Sequence, residues 1–264
     1  ETRKAHILHR ARHTTDITGM AGVNQNDAYI VEIHGIKGLF GARSLADFLP
    51  ELLYNPAPAD PEEDTMEPMI NIALRAARKA GENVVRASDD LDRIDVVAKG
   101  VNDYVSEVDI IAEQEIIYHL QKAYPDHAIL GEETGLTGSD EAEYQWIIDP
   151  LDGTTNYIHA FPVYAVNIAL EIDRKMSVGV TYNPLLDEMF TAASGAGAFL
   201  NDKPIHVSQV SERNRTLLGT GFPFRSRQYL DTYLKSFRYF FNNSRGIRRC
   251  GAAALDFAHV AAGR

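Results

Sequence analysis

The sequence predicts a layered domain of the α/β or α+β class, in which helices cover a set of mainly consecutive strands. Helical patterns lie before and after a run of short apolar segments that alternate as strands do. Of the 264 residues, 45% are apolar, which is enough for a substantial core. A β-sandwich would lack the helices and a helical bundle would lack the strands, so neither fits the pattern.

Two amphipathic helices are predicted first, and two more near the end of the chain. Residues 66–86 form an apolar stripe of Met69, Ala73, Ala76, Ala80 and Val84, with Arg75, Arg78, Lys79 and Glu82 largely off it. Residues 105–125 predict a helix with Ile117, Leu120 and Tyr124 on its apolar face and Pro125 at its end. The late helices are predicted at residues 231–243 and 252–263.

Strands are predicted between these helices. A short strand at residues 127–135 leads into an acidic turn, and Asn-Pro and Gly-containing turns separate the strands that follow it. These later strands are predicted at residues 145–149, 164–172, 175–184 and 188–193, with a hairpin at residues 197–205.

A break in composition divides the chain. Residues 54–65 contain three prolines and an acidic cluster, which cannot continue a helix or a central strand. We therefore expect residues 1–65 to be an N-terminal extension and linker, with one strand at 27–36 and one helix at 42–53, and residues 66–264 to be the main domain. The triplet His6, His9 and His13 lacks a partner carboxylate, so we interpret it as solvated histidines rather than a metal site.

Charge and cysteine content limit the classes of function. The formal net charge of −11 and the pI near 5.3 argue against a surface built mainly for nucleic acid or anionic lipid. The single cysteine, Cys250, cannot form an intrachain disulfide, and we interpret it as a small buried residue rather than a nucleophile. The sequence contains neither a membrane-span pattern nor a secretory leader pattern, so we expect a soluble cytoplasmic protein without a membrane partner.

Acidic residues follow several of the predicted apolar segments. They are Asp103 and Asp109, Glu132 and Glu133, and Asp149 and Asp152. If Glu132, Asp149 and Asp152 converge at strand ends, their repulsion requires a cation among them. A few carboxylates with water suit Mg²⁺ better than a softer metal.

The segment "DPLDGTT", residues 149–155, has two interpretations. Pro150 restricts the backbone between Asp149 and Asp152, and Gly153 permits a close approach before a helix begins, as a metal and phosphate loop requires. The same residues are equally typical of an Asp-Pro turn on the surface, followed by a Thr-capped helix. The residues alone leave both interpretations open.

The segment "GEE" followed by "WIIDPLDGTTNY" resembles the metal-binding signature of the inositol monophosphatase family. The likeness runs from Met66 to the last residue, where "ALRAARKAG", "TGFPFR" and "CGAAALDFAHVAAGR" are similar to the bacterial enzymes of the extragenic-suppressor type. This resemblance implies an α/β/α/β/α sandwich of the fructose bisphosphatase type. It also implies Mg²⁺-dependent hydrolysis of a phosphate monoester, with two or three ions and sensitivity to lithium.

The resemblance also implies roles for individual residues. The implied metal ligands are Glu132, Asp149, the Leu151 carbonyl and Asp152, and the implied catalytic residues are Glu132, Thr154 and Asp109, the last two orienting the attacking water. The implied substrate-binding residues are Leu151, Asp152, Gly153, Thr154, Arg248, Gly251, Ala252 and Ala253. Lys99 would lie near a mobile loop that borders the metals.

The implied substrate is inositol-1-phosphate, with fructose bisphosphate, histidinol phosphate and adenosine bisphosphate as alternatives. The implied partners are a second copy of the complete chain and, in a hypothesis of another class, RNA polymerase and the machinery of ribosomal RNA synthesis. The family continues beyond the position of Arg264 with a Trp-Asp segment that supplies another metal ligand. We therefore expect the domain to be incomplete at its C-terminal side, which puts the activity of this chain in doubt.

Overall fold

The computed structural model describes residues 63–89, 96–100, 103–224 and 226–264. The predicted strand at 27–36, the predicted helix at 42–53 and the three N-terminal histidines lie outside these residues. The described helices are α1 (Glu63–Ala87), α2 (Glu107–Ala123), α3 (Thr154–Ile158), α4 (Leu230–Asn243) and α5 (Ala253–Ala261).

The described strands begin with β1 (Val96–Gly100), β2 (Asp103–Ser106), β3 (Ala128–Gly131), β4 (Gly135–Thr137) and β5 (Tyr144–Asp152). They continue with β6 (Ala165–Ile172), β7 (Lys175–Asn183), β8 (Glu188–Ala193), β9 (Gly197–Leu200) and β10 (Lys203–Pro204). The last two are β11 (Leu217–Gly219) and β12 (Gly246–Arg248).

Eight of these strands form one mixed sheet in the order β10-β9-β8-β7-β6-β5-β3-β4. All neighbours are antiparallel except β3 and β5, which are parallel, so their carboxyl ends meet at one edge of the sheet. Strands β1 and β2 form a separate antiparallel pair, and β11 and β12 form a parallel pair. The predicted hairpin at residues 197–205 is present as β9 and β10. The prediction of a layered α/β fold is confirmed.

Helix α1 packs on the sheet through small side chains. Its buried face consists of Ala73, Ala76, Ala77, Ala80 and Val84, which is close to the predicted stripe. Gly81 extends this face, since a Cβ there would lie 2.7 Å from the Tyr182 ring. Small residues therefore let the helix approach β7 closely enough to bury the large side chains of the sheet.

Helix α2 lies beside α1 on the same face of the sheet. Val108, Ala112, Ile116 and Leu120 are buried at intervals of four residues. Ile117 and Tyr124, which were predicted on the apolar face with Leu120, are partly buried and pack against this core. The helix begins at Glu107 because Ser106 ends β2 and caps it, so its apolar stripe starts at Val108.

Helix α5 lies on the opposite face of the sheet. Its residue Leu255 packs with Ala252 and Ala165, and the His259 ring meets the Phe190 ring edge to face with centroids 6.2 Å apart. The sheet is thus covered by α1 and α2 on one side and by α5 on the other. Within the described ranges, the helices are too short or too polar to cross a membrane.

Several short strands were not predicted from the sequence. Strands β4, β11 and β12 have three residues each, which is too short for an alternating pattern to be recognised. The β1–β2 pair was also missed, because β2 leads into α2 at Ser106 without a separating turn. Pairing with distant neighbours decides these elements, rather than local composition.

Tyr157 connects α3 to the end of α1. Its hydroxyl donates to the Val84 carbonyl at 2.8 Å, and the side chain is almost fully buried. Val84 is in the last turn of α1, where backbone carbonyls have no partner within the helix.

We predict that Tyr157→Phe lowers the free energy of unfolding by about 1–2 kcal/mol, because the buried Val84 carbonyl loses its partner. The control is Tyr118→Phe in α2, where the side chain is 57% exposed. This change should cost less than about 0.5 kcal/mol. Urea unfolding followed by the fluorescence of the single tryptophan measures both. Equal losses for the two variants would contradict the prediction.

Candidate functional site

A β-bulge near the end of β5 places two acidic side chains together. Asp149 pairs with Asn167 of β6, and Asp152 pairs with Ala165, so β5 contains one extra residue between the two pairs. Residues that pair across strands share a face, and residues two apart on β6 also share a face. The bulge therefore brings Asp149 and Asp152 to the same side of the sheet, whereas a regular strand would separate them. Pro150 lies in the bulge, where no ladder hydrogen bond is required of it.

Glu132 lies beside Asp149 at the ends of the parallel strands β3 and β5. Its backbone N–H donates to the Ile148 carbonyl at 3.0 Å, which extends the β3–β5 pairing by one residue. The carboxyl groups of Glu132 and Asp149 lie close enough for Glu132 to raise the pKa of Asp149. The structure thus brings together three acids that the sequence singled out.

Burial and mutual repulsion perturb the acids of this cluster. Burial raises the pKa of Asp149 well above its usual value, and the charges of Glu132 and Asp152 raise it further. Burial also raises the pKa of Asp152 to about 6, although backbone N–H groups of Ala254 and Ala253 stabilise its charged form. Cations lower the pKa of neighbouring carboxyl groups. A bound cation would therefore stabilise the charged form of this cluster.

Asp152 also fixes the start of helix α5. Its Oδ2 atom accepts from the Ala254 N–H at 2.7 Å, in the first turn of the helix. This N–H has no partner within α5, and a carboxylate is favourable at a helix N-terminus. The predicted substrate-binding residues Ala252 and Ala253 consequently lie next to the acidic bulge.

Thr154 connects the bulge to helix α2. Its hydroxyl lies 3.0 Å from Asp109 Oδ1 and 3.1 Å from the Leu151 carbonyl oxygen, and it can donate to either acceptor. The Leu151 N–H in turn donates to Asp149 Oδ1 at 3.2 Å, which closes the turn. The predicted residues Asp109, Asp149, Leu151 and Thr154 are therefore linked by hydrogen bonds.

Asp109 is almost fully buried at the beginning of α2. Its Oδ2 atom accepts from the Ser106 N–H at 2.9 Å and from the Ser106 hydroxyl at 2.5 Å, which forms a capping box. Burial raises the pKa of Asp109, while these hydrogen bonds and that of Thr154 oppose the shift. Asp109 thus caps its own helix and holds Thr154 at the same time.

Asn156 of helix α3 forms a hydrogen bond with the segment before α5. Its Nδ2 atom donates to the carbonyls of Cys250 and Val163, at 2.9 and 2.8 Å. Gly251 has a φ of 91°, and a Cβ there would lie 2.8 Å from the Asn156 amide. The Ala252 Cβ would similarly lie 3.4 Å from a Cβ at Gly153. The predicted residues 251–253 therefore border the bulge.

The two adjacent arginines have different surroundings. The Arg248 guanidinium donates to the carbonyl of its neighbour Ile247. The Arg249 guanidinium packs against the rings of both Phe222 and Phe224, 5.6 and 5.5 Å from their centroids. Its charge lowers the pKa of Asp152, against the dominant effect of burial. Arg249 therefore interacts with an acid of the cluster, and the implied role of Arg248 in substrate binding stays a prediction.

Cys250 and Asp256 interact with each other, and both lie close enough to Arg249 for its charge to affect them. Burial raises the pKa of the Cys250 thiol, and the Asp256 charge raises it further. Burial raises the pKa of Asp256 to about 6, although the thiol hydrogen bond and Arg249 oppose the shift. A thiol with a raised pKa is a poor nucleophile, which agrees with the interpretation of Cys250 as a structural residue.

Two residues around the site, Asn156 and Asp256, were not predicted from the sequence. Their signals were weak, because each is a single polar residue without characteristic spacing. The side chains of Lys99 and Asp103 are not among those described, although their backbones lie in β1 and β2. Within the described ranges, no group of three or more His, Cys, Asp or Glu side chains is already arranged to hold a metal ion.

Residues 65–264 match the model of a family described as the inositol monophosphatase family. The chain is 53% identical over 203 residues to a Pseudomonas aeruginosa protein called Nus factor SuhB, covering 75% of each chain. It is 47% identical over 200 residues to the Escherichia coli protein of the same name, covering 75% of this chain and 74% of the relative.

Solved structures agree with this similarity. The extragenic suppressor protein SuhB from Bartonella henselae is 43% identical with a TM-score of 0.72, covering 74% of this chain and 75% of the other. An inositol monophosphatase from Anabaena is 38% identical with a TM-score of 0.66, covering 76% of this chain and 73% of the other.

We predict that Gly153→Ala destabilises the protein more than Gly197→Ala does. Both glycines have positive φ angles, 102° and 89°. An alanine in this region costs about 1–2 kcal/mol through backbone strain alone. At Gly153 the Cβ would also lie 2.9 Å from the Val163 carbonyl oxygen, whereas at Gly197 no described heavy atom lies within 4 Å.

The extra crowding should lower the free energy of unfolding of Gly153→Ala by a further 1–3 kcal/mol or so. Urea unfolding of the two variants and the unchanged protein gives this difference directly. A Gly197→Ala variant as unstable as Gly153→Ala would show that crowding at the bulge contributes nothing.

Proposed function

The chain belongs to the inositol monophosphatase family, and we propose that it hydrolyses a phosphate monoester with the help of Mg²⁺, with inositol-1-phosphate as substrate. The observation that carries this proposal is the bulge in β5, which sets Asp149 and Asp152 on one side of the sheet beside Glu132. An ordinary surface turn does not require three neighbouring carboxyl groups, two of which raise the pKa of the third.

The donor atoms of the cluster fit a hard divalent cation. Glu132, Asp149, Asp152 and the Leu151 carbonyl offer only oxygen atoms, the ligand type that Mg²⁺ prefers. The raised pKa of Asp149 indicates charges that a cation would stabilise. We propose that these residues hold two or three Mg²⁺ ions. When bound, Mg²⁺ would lower the pKa of a water molecule and stabilise the charge that develops on the phosphate and leaving group.

Thr154 and Asp109 supply the groups that orient the attacking water. A threonine hydroxyl has one proton to donate and two lone pairs that accept. When Thr154 donates to Asp109 Oδ1 at 3.0 Å, its oxygen is left as an acceptor. That oxygen can then accept a hydrogen bond from the water and direct the water's lone pair toward phosphorus. The burial of Asp109 keeps this arrangement away from bulk solvent.

The substrate is proposed to lie between the bulge and the start of α5. Gly153 lets the phosphate approach the backbone closely, and residues 251–253 border the polyol. The Arg249 guanidinium, which packs against two phenylalanine rings, lies near enough to Asp152 to affect its pKa. We propose that this positive charge and that of Arg248 attract the anionic substrate.

The remaining proposals concern assembly. We propose that residues 66–264 form the phosphatase-like domain, that residues 1–65 are an extension, and that the complete protein forms a homodimer. A second candidate function is association with the transcription machinery, favoured by the similarity to two proteins called Nus factors.

We predict that Asp149→Asn lowers the rate of phosphate release by about 100-fold or more, since removing one charge weakens cation binding and transition-state stabilisation by several kcal/mol. The control is Asp202→Asn. Asp202 is exposed in the turn between β9 and β10, at the opposite end of the strand order from β3 and β5. This variant should keep its full rate.

The assay measures phosphate release from inositol-1-phosphate, fructose bisphosphate, histidinol phosphate and adenosine bisphosphate, with and without Mg²⁺ and lithium. The proposal would be overturned by any of three results: no activity over this panel from a chain extended through the expected Trp-Asp segment, activity without Mg²⁺, or an unchanged rate for Asp149→Asn.

For the second candidate function, we predict that purified RNA polymerase is retained equally by the unchanged chain and by Asp149→Asn. The acidic cluster is not expected to contribute to a protein-binding surface. Binding measured on immobilised chain, with Asp202→Asn as the matched variant, tests this. Failure of all three proteins to retain the polymerase would overturn the transcription role, and loss confined to Asp149→Asn would show that the two functions share residues.

A further inference from the structure

Helix α2 carries a second buried acid that the proposed mechanism does not use. Glu113 is completely buried, and it lies four residues after Asp109, which is 1% exposed. Residues four apart share one face of a helix, so both carboxyl groups lie on the side of α2 that meets the acidic cluster. A buried acid is costly unless its oxygen atoms have partners.

The partners of Glu113 are backbone groups of the turn that contains Glu132. Its Oε2 atom accepts from the Glu133 N–H at 2.9 Å, and its Oε1 atom accepts from the Thr134 N–H at 2.8 Å. A Cβ added at Gly131 would lie 2.6 Å from Cδ and from both carboxyl oxygens. The turn therefore folds around this carboxyl group, with contacts on both sides of Glu132.

We propose that Glu113 is a positioning residue that sets where the Glu132 carboxylate stands relative to Asp149. This proposal rests on the proposed function, in which Glu132 is a metal ligand. Glu113 acts through the backbone and touches neither substrate nor metal. Gly131 is required because any side chain there would displace the Glu113 carboxyl group.

The same helix holds the other half of the site through Asp109 and Thr154. Both contacts are made by side chains of α2, so one rigid helix positions both the Glu132 turn and the Thr154 hydroxyl. Neighbours four apart on a helix have Cβ atoms about 5–6 Å from each other. The distance between the two halves of the cluster is therefore set by one turn of helix rather than by the loops.

The test compares Glu113→Gln with Glu115→Gln. The glutamine amide at 113 can accept from only one of the two backbone N–H groups and turns its own NH₂ toward the other. Glu115 lies in the same helix, and its carboxylate contacts His119 at 3.1 Å instead of the turn, so it provides the matched control. Gly131→Ala is a second variant, because its methyl group would displace the Glu113 carboxyl group from the turn.

The first measurement is amide hydrogen exchange at Glu133 and Thr134 in the metal-free protein. We expect exchange to be faster by about tenfold or more in Glu113→Gln and Gly131→Ala, since hydrogen bonds to charged groups are among the stronger ones. Glu115→Gln should match the unchanged protein. Unaltered exchange at both amides in Glu113→Gln overturns the proposal, whether or not the chain binds metal.

The second measurement is the affinity of each folded variant for Mn²⁺ alone, by electron paramagnetic resonance. Groups that orient a ligand without touching the metal typically contribute about 10–100-fold to affinity. We expect a loss of this size in Glu113→Gln and Gly131→Ala, and none in Glu115→Gln. Tyr157→Phe should also keep its affinity, because it lowers stability without touching the turn.

The outcomes separate the two proposals. Faster exchange in Glu113→Gln with an unchanged Mn²⁺ affinity means that the residue only stabilises the fold, and the positioning proposal fails. If the unchanged chain does not bind Mn²⁺, the metal-dependent function fails, and the exchange measurement alone decides whether Glu113 holds the Glu132 turn.

Discussion

The arrangement of the site depends on one extra residue in strand β5. Side chains alternate between the two faces of a strand, so acids three residues apart would ordinarily face opposite sides of the sheet. The bulge between Asp149 and Asp152 cancels that alternation and places like charges side by side. Strand β6 pairs with both ends of this irregular segment, and β3 pairs with β5 up to Ile148, just before it. The repulsion that results is the physical basis for the cation binding that we propose.

The elements around the bulge use the same carboxyl groups for structure and for the site. Asp152 accepts from the first turn of α5, and Asp109 caps α2 while holding Thr154. These hydrogen bonds stabilise the charged form of each acid against the cost of burial. Changing either residue would therefore affect the fold as well as the chemistry.

Much of the fold could be predicted from the sequence, because it rests on local patterns. The alanine stripe of α1 and the apolar runs of β5 to β8 are properties of consecutive residues, and the structure contains them. The clustering of Glu132, Asp149 and Asp152 followed from acids placed at strand ends and from a family resemblance. The bulge that unites them was not predicted, since register is decided by the partner strand.

Residues whose roles depend on distant partners could not be predicted. Arg248 and Arg249 are adjacent residues of the same type, so the sequence cannot distinguish their surroundings. The Arg249 guanidinium packs against the rings of Phe222 and Phe224 and interacts with Asp152. Glu113 is one of several acids in α2, and its importance arises only from a turn some 20 residues later.

The spacing between Asp109 and Glu113 has a consequence for how this chain can vary in length. Each residue added to a helix turns everything after it by about 100°. A single insertion or deletion between these two acids would swing one of them away from its half of the site, even if every side chain were kept. By contrast, the turn at residues 138–143, between β4 and β5, lies outside both the Glu132 turn and the bulge, so a change in its length would leave the spacing of the two acids unchanged. The number of residues between Asp109 and Glu113 is therefore constrained more strictly than the length of that turn.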